Sequence, residues 1–104
     1  MDRSEQLKQL RSEYKSCLNN VRATAYSLRE AINALITTIS VQNNCYVLND
    51  TNNNNYLNNL LDKERSAYSN ITDSIIPEIN NKIYDLDIQI EEALQEEAAA
   101  EGGK

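Results

Sequence analysis

A stripe of apolar residues between Ile75 and Leu94 constrains the fold of this chain more than any other sequence feature. Its members recur at steps of three and four residues, which places them on one side of an α-helix. One helix cannot keep such a stripe away from water, so the segment requires a second helix to pack against. The stripe consists of Ile75, Ile79, Ile83, Leu86, Ile90 and Leu94.

The first part of the chain supplies that second helix. Asp2 followed by Glu5 has the spacing of an N-cap and its reciprocal partner, which predicts a helix start near Arg3. A stripe with the same steps follows, and one additional four-residue step between Cys17 and Ala25 predicts a stutter in the coiled-coil repeat. This stripe consists of Leu7, Leu10, Tyr14, Cys17 (with Leu18), Val21, Ala25, Leu28, Ile32, Leu35 and Ile39.

The positions of glycine and proline exclude a sheet-rich fold. Glycine occurs only at Gly102 and Gly103, and proline only at Pro77, whereas β-structure depends on tight turns that these residues favour. The predicted fold class is therefore all-α, an antiparallel, coiled-coil-like hairpin of two helices at about 3–41 and 53–97. These helices form one domain over 1–97, with a turn at about 42–52, and residues 98–104 are predicted to be a disordered acidic tail.

The second helix is expected to be irregular near Pro77. Proline lacks the backbone N–H and clashes with the preceding turn, and the stripe continues across it, so a kink between Asp73 and Pro77 is predicted. Two separate helices, the second capped by Asp73 or Ser74, are the alternative. Before Ile75 the stripe includes Leu57, Leu61, Glu64, Tyr68 and Ile71. Glu64 is the one charged member, which predicts either a wet gap or a local rotation that puts Ala67 in its place.

Charge favours the antiparallel arrangement, because a hairpin sets the basic start of the chain beside its acidic end. The predicted register pairs Ile39 with Leu57, Leu28 with Tyr68, Val21 with Ile75, Tyr14 with Ile83, and Leu7 with Ile90. The residues that meet at the open end are Arg3, Lys8, Arg11 and Lys15 with Asp85, Asp87, Glu91, Glu92, Glu96 and Glu97.

The inventory of side chains argues against an enzyme, a metal site or a cofactor. The chain has no His and only two cysteines, which leaves His-based acid–base chemistry and ordinary zinc sites without ligands. A hairpin holds Cys17 and Cys45 too far apart for a disulfide, so Cys17 is predicted to be a small buried residue and Cys45 a free thiol or an intermolecular bridge.

The net charge and hydropathy indicate which partners the chain can have. The net charge of -6 disfavours nucleic acid, and the absence of a long apolar run disfavours membrane insertion. The N-terminus does not resemble a signal peptide, so a cytoplasmic location is expected.

Several apolar residues lie off both stripes and are predicted to bind a protein partner. The alternative for the group near the turn is a loop that folds back to cover its own hairpin. The predicted partner-binding residues are Ile36, Tyr46, Val47, Leu48, Tyr56, Leu60, Ile76 and Ile88.

Two segments carry a resemblance to a known family. The first helix from Leu7–Leu10 through Ser27–Ile32, and the INNKIYDL sequence from Ile79 to Leu86, are similar to WxG-type (Esx) helical-hairpin proteins of type VII secretion systems in Gram-positive bacteria. More narrowly, they resemble the YwqH-like proteins associated with LXG toxins. The chain differs from the WxG-type proteins in lacking the Trp-x-Gly turn, and Tyr84 is followed four residues later by Ile88 rather than by an acidic residue.

The resemblance implies the role of an accessory partner or targeting chaperone. Such a protein binds the helical N-terminal domain of an LXG toxin, with room for a second small helical protein, and either stays in the cytoplasm or is co-secreted with the toxin. The alternative function is a self-assembling structural coiled coil, in which a homodimer forms a four-helix bundle.

Overall fold

The computed structural model describes residues 2–44 and 51–102, with the side chains of 51–53 excepted. Its elements are α1 (Arg3–Asn44), α2 (Thr51–Asn70), a π-helical turn (Ile71–Ile75) and α3 (Ile76–Gly102). The last three form one continuous arm that packs against α1, and the hairpin measures 83 × 15 × 15 Å. The described residues include no strand, and the predicted all-α hairpin is confirmed.

The helices extend beyond their predicted bounds. α1 ends at Asn44 and α2 begins at Thr51, so residues 42–44, 51 and 52 of the predicted turn are helical. α3 continues to Gly102, whereas the sequence predicts a disordered tail from residue 98. The alanines at 98–100 are the strongest helix formers, which accounts for the longer helix.

The residues of α1 that pack against the other arm follow an unbroken heptad. Steps of three and four alternate along the whole helix, which keeps one face turned toward the partner arm. The predicted stutter is therefore wrong, as is the seam position of Leu10, which Arg11 replaces. Of the predicted pair Cys17 and Leu18, only Leu18 lies in the seam. The buried and half-buried residues of α1 are Ser4, Leu7, Arg11, Tyr14, Leu18, Val21, Ala25, Leu28, Ile32, Leu35, Ile39 and Gln42.

The heptad of the second arm shifts by one residue at the π turn. Up to Ile71 the seam alternates regularly, and from Ile76 it alternates again, one residue later than the first phase requires. The seam residues are Asn54, Leu57, Leu61, Glu64, Tyr68 and Ile71, then Ile76, Ile79, Ile83, Leu86, Ile90, Ala93 and Glu97, with Thr72 and Ile75 half-buried at the shift. A π turn holds one more residue than an α-helical turn, so it absorbs the additional residue.

The second arm departs from the predicted stripe in two places, one explained by the shift and the other by the regular alternation after it. The stripe does not stay in phase across Pro77, and at the far end Ala93 is 1% exposed whereas Leu94 is 43% exposed. Ala93 follows Ile90 by three residues, as the alternation requires after a four-residue step, and Leu94 follows it by four.

The irregularity predicted near Pro77 takes the form of this π turn. The N–H of Ile76 donates to the carbonyl of Ile71, five residues earlier, and Pro77 follows at the position where an α-helix would need another donor. The backbone angles remain helical on both sides, at φ -62° and ψ -40° for Asn70 and φ -61° and ψ -49° for Ile76. The arm therefore continues as one helix, and a separate capped helix beginning at Asp73 or Ser74 is not formed.

Candidate protein-interaction surface

The two sides of the hairpin differ in chemistry. In heptad notation the seam residues occupy positions a and d, and positions e and g flank them. Arg3 and Glu96 both occupy g and their side chains pair at 3.1 Å, while Arg11 on the other side pairs at 2.7 Å with Asp87, an e residue. Residues at g of both arms therefore line one side of the hairpin, and residues at e line the other.

One side, which we call the uncharged flank, carries small or apolar side chains over most of its length. The seven residues that form it, five in α1 and two in α2, are all exposed. The hydroxyls of Thr24 and Thr38 donate within their own helix, to the carbonyl oxygens of Asn20 and Ala34, both at 3.0 Å, so a partner need not supply an acceptor for them. The uncharged flank consists of Leu10, Cys17, Thr24, Ala31 and Thr38 of α1 with Leu60 and Ala67 of α2.

The uncharged flank is also grooved. A shallow groove of about 250 Å³ is lined by Leu10, Glu13, Tyr14 and Cys17. The exposed thiol of Cys17 lies here rather than in the seam, contrary to the expectation that Cys17 is buried. Near the turn, the exposed side chains of Val41 and Tyr56 widen the apolar part of the same side.

The predicted partner-binding residues do not form one patch. Leu60 belongs to the uncharged flank and Tyr56, which is 68% exposed, lies beside it, but Ile36 is on the opposite flank and Ile88 is on the outer face of α3. Ile76 is half-buried in the seam, contrary to the expectation that it faces away, because the π turn rotates it inward. The predicted residues Tyr46, Val47 and Leu48 lie outside the described residues.

Sequence reasoning missed Leu10 and Cys17 as surface residues because their hydrophobicity suggested the seam. The strict alternation of three- and four-residue steps identifies them, since only Arg11 and Leu18 continue the heptad that runs from Leu7 to Tyr14 and on to Val21.

Glu97 links the two arms at the open end of the hairpin through hydrogen bonds. Its carboxylate accepts hydrogen bonds from the backbone N–H of Ser4 at 3.0 Å and from the Ser4 hydroxyl at 2.7 Å. Ser4 lies in the first turn of α1, where N–H groups lack partners within the helix, so Glu97 caps α1 from the other arm. The Ser4 hydroxyl, the Ser4 N–H, and the nearby charges of Lys8 and Arg3 lower the pKa of Glu97 below 4.5. The meeting of basic and acidic ends predicted from charge is confirmed.

The seam contains polar groups as well. The Oε2 atom of Glu64 and the Oε1 atom of Gln42 are buried, and neither accepts a hydrogen bond from the residues that the structure describes. Ala67 is exposed, so Glu64 keeps its seam position and the predicted rotation does not occur. A buried oxygen without a donor destabilises the hairpin.

Within residues 2–44 and 51–102, no group of three or more His, Cys, Asp and Glu residues is placed to hold a metal ion. The helices in those ranges do not combine the length and the apolar character that crossing a membrane requires. Comparisons with protein-family models, curated proteins and solved structures find no match to this chain.

Proposed function

We propose that this chain is a binding module, an accessory partner that packs against the helical N-terminal domain of an LXG-type toxin and targets it to a type VII secretion system. The observation that carries the proposal is the uncharged flank. In this proposal the chain has no catalytic role, acts in the cytoplasm before export, and accompanies the toxin when it is secreted.

A hairpin of this shape favours a partner on energetic grounds. Two helices side by side bury only a narrow seam, and the buried apolar side chains of the described residues are two groups, one near the turn (Ile32, Leu35, Leu61) and one near the open end (Leu86, Ile90, Ala93), with Leu18 and Ala25 between them. Leu10, Leu60 and Val41 stay exposed. Covering such side chains contributes about 25 cal/mol per Å² of apolar area, so further helices on this side would stabilise the hairpin.

The uncharged flank is the side best suited to that contact. Its positions between Leu10 and Thr38 in α1 carry no charge, and at the g positions of the other arm that face them Lys82 is the one charged residue. A partner would therefore have to strip water from few ions there. Small side chains such as Ala31 and Ala67 also let a second helix approach closely, as they do in helical bundles.

Co-expression with the toxin's N-terminal domain, followed by size-exclusion chromatography, tests the proposal. Wild-type chain should co-elute with that domain, and Ala31→Glu should abolish co-elution because it places a charge in the middle of the uncharged flank. Ala23→Glu is the matched control: it introduces the same charge at an exposed site of the same helix, but on the outer face. Separate elution of the wild-type proteins, or equal loss with both variants, would contradict the proposal.

A homodimeric four-helix bundle is the second candidate. The same flank supports it, because an uncharged surface can face its own copy without repulsion despite the net charge of -6. Light scattering distinguishes the two functions. A stable dimer of the isolated chain that Ala31→Glu disrupts favours self-assembly, whereas a monomer that associates only with the toxin domain favours the accessory role.

A further inference from the structure

The flank opposite the uncharged one carries an ordered row of positive charge. Lys8, Lys15, Arg22 and Arg29 follow each other at intervals of seven residues in α1, and all four are exposed. We call them the basic row. Seven residues of helix span about 10.5 Å, so the row presents four cations at regular spacing along about 32 Å of a straight rod.

Among the described residues, most of this charge has no ion-pair partner. In the part of the chain that the structure describes, the ion pairs involve Arg3 and Arg11, and the charge of Lys8 lies near the carboxylate of Glu97 and helps to lower its pKa. Residues three and four positions from Lys15, Arg22 and Arg29 include no Asp or Glu. The Arg29 guanidinium lies 6.0 Å from the centre of the Tyr26 ring, a contact that leaves its charge intact.

This arrangement is unusual for a chain with 16 Asp and Glu residues. Helices commonly pair Lys and Arg with carboxylates three or four residues away, and here such pairs are absent from Lys15, Arg22 and Arg29. A row of unpaired charges at flanking positions of a coiled coil is the feature that selects a partner helix and sets its register.

We infer that the basic row is a docking strip for an acidic helix of another protein, one in which Glu or Asp recurs every seven residues. The seven-residue interval favours a helix over other anions, because a parallel or antiparallel helix repeats its charges at the same interval along the rod. Beside the row lie the polar residues Ser12, Asn19 and Asn33, and the exposed apolar side chains on this flank of α1, Tyr26 and Ile36, are ten residues apart and do not form the continuous apolar face that entry into a lipid layer requires. The net charge of -6 opposes binding to nucleic acid.

The inference goes beyond the proposed function, because the basic row lies on the flank opposite the uncharged one. Two helical partners can therefore occupy the hairpin at once, one on each flank. Loss of either contact leaves the other in place, so the two proposals can fail separately.

Fluorescence anisotropy at low salt tests the inference with the full chain and two synthetic Ala-rich helical peptides. One peptide carries Glu at every seventh position, and the other has the same composition with its Glu residues grouped at one end. We expect the chain to bind the first peptide about tenfold more tightly than the second, since pairing of four exposed charges adds a few tenths of a kcal/mol for each pair. Raised salt should remove most of this binding.

Substitutions in the basic row test whether it is the surface that binds the first peptide. Lys15→Glu combined with Arg22→Glu should abolish binding of the first peptide, whereas Lys63→Glu, at an exposed site of α2 away from the row, should weaken it no more than the change in net charge requires. Circular dichroism checks that each variant is folded, and Lys15→Gln with Arg22→Gln replaces the double reversal if that variant unfolds. Equal binding of both peptides, equal loss with the Lys63→Glu control, or preference for anionic lipid vesicles over the first peptide would overturn the inference.

Discussion

The additional residue in the π turn leads to a specific prediction about deletions in this hairpin. Removing Asp73 and replacing Pro77 with Ala should convert the turn into ordinary α-helix and leave the hairpin as stable as the wild type. After the deletion, Ile76 follows Ile71 at a four-residue step, so the seam runs in one phase from Tyr68 to the end of α3. No residue of the far seam leaves its position, because the π turn holds the one residue that the heptad does not need.

The matched control is deletion of Ala23 from α1, which has an unbroken heptad and no π turn to absorb the change. Each residue of an α-helix turns the chain by about 100°, so the part of α1 after the deletion is turned out of phase with the part before it. Ile32 and Leu35 are buried in the cluster near the turn. Exposing two side chains of this size costs about 3–6 kcal/mol, which is comparable with the stability of a small domain.

Urea denaturation followed by circular dichroism measures both effects. The doubly altered chain should keep the wild-type midpoint within the error of the measurement, and the Ala23 deletion should be largely unfolded without urea. Deleting Asp73 while retaining Pro77 should cost about 3 kcal/mol, because the proline then lies inside a regular helix. A doubly altered chain as unstable as the Ala23 deletion would refute the assignment of the π turn as the site of the phase shift.

Further predictions concern the seam and the open end. Glu64→Leu should raise the free energy of unfolding by about 1 kcal/mol, since it removes a buried oxygen without a donor from a position beside Leu61, and a lower urea midpoint would contradict this. The lowered pKa of Glu97 means that its contacts stabilise the folded chain fully above about pH 4.5 and are lost as the pH falls through the lowered value. Glu97→Gln should therefore flatten the decline of the urea midpoint on the acid side, and an unchanged pH profile would show that Ser4 does not bind the ionised carboxylate.

Much of the fold follows from the sequence, because the features that determine it are repeated many times. The stripes indicate two helices, and the scarcity of Gly and Pro excludes a sheet-rich fold. The opposite charges at the chain ends indicate that the helices are antiparallel. Whether a single residue lies in the seam or on the surface follows less directly from the sequence. Hydrophobicity favours Leu10 over Arg11 as the seam residue, yet the Arg11 stem packs half-buried while its guanidinium reaches Asp87, as long cationic side chains commonly do.

The uncharged flank could not be predicted because it depends on the phase of α1, for which the sequence pattern predicts a stutter. The π turn also changes the face of every later residue in α3, which explains why Ile76, a predicted partner-binding residue, lies in the seam. The charge-free interval between Leu10 and Thr38 is visible in the sequence only after the heptad of α1 has been placed correctly. Local composition does not reveal it.

The position of the buried cluster has a consequence for how the hairpin assembles. Bringing Leu35 to Leu61 closes a much shorter loop than bringing Ser4 to Glu97, and the difference in chain entropy is about 1 kcal/mol. The cluster around Ile32, Leu35 and Leu61 is therefore the place where the arms first meet, and the contacts then spread toward the open end. The π turn stands midway along that path. The arms must be aligned on both sides of it before the hydrogen bonds of Glu97 can form, so the open end is the last part to close and the first to separate.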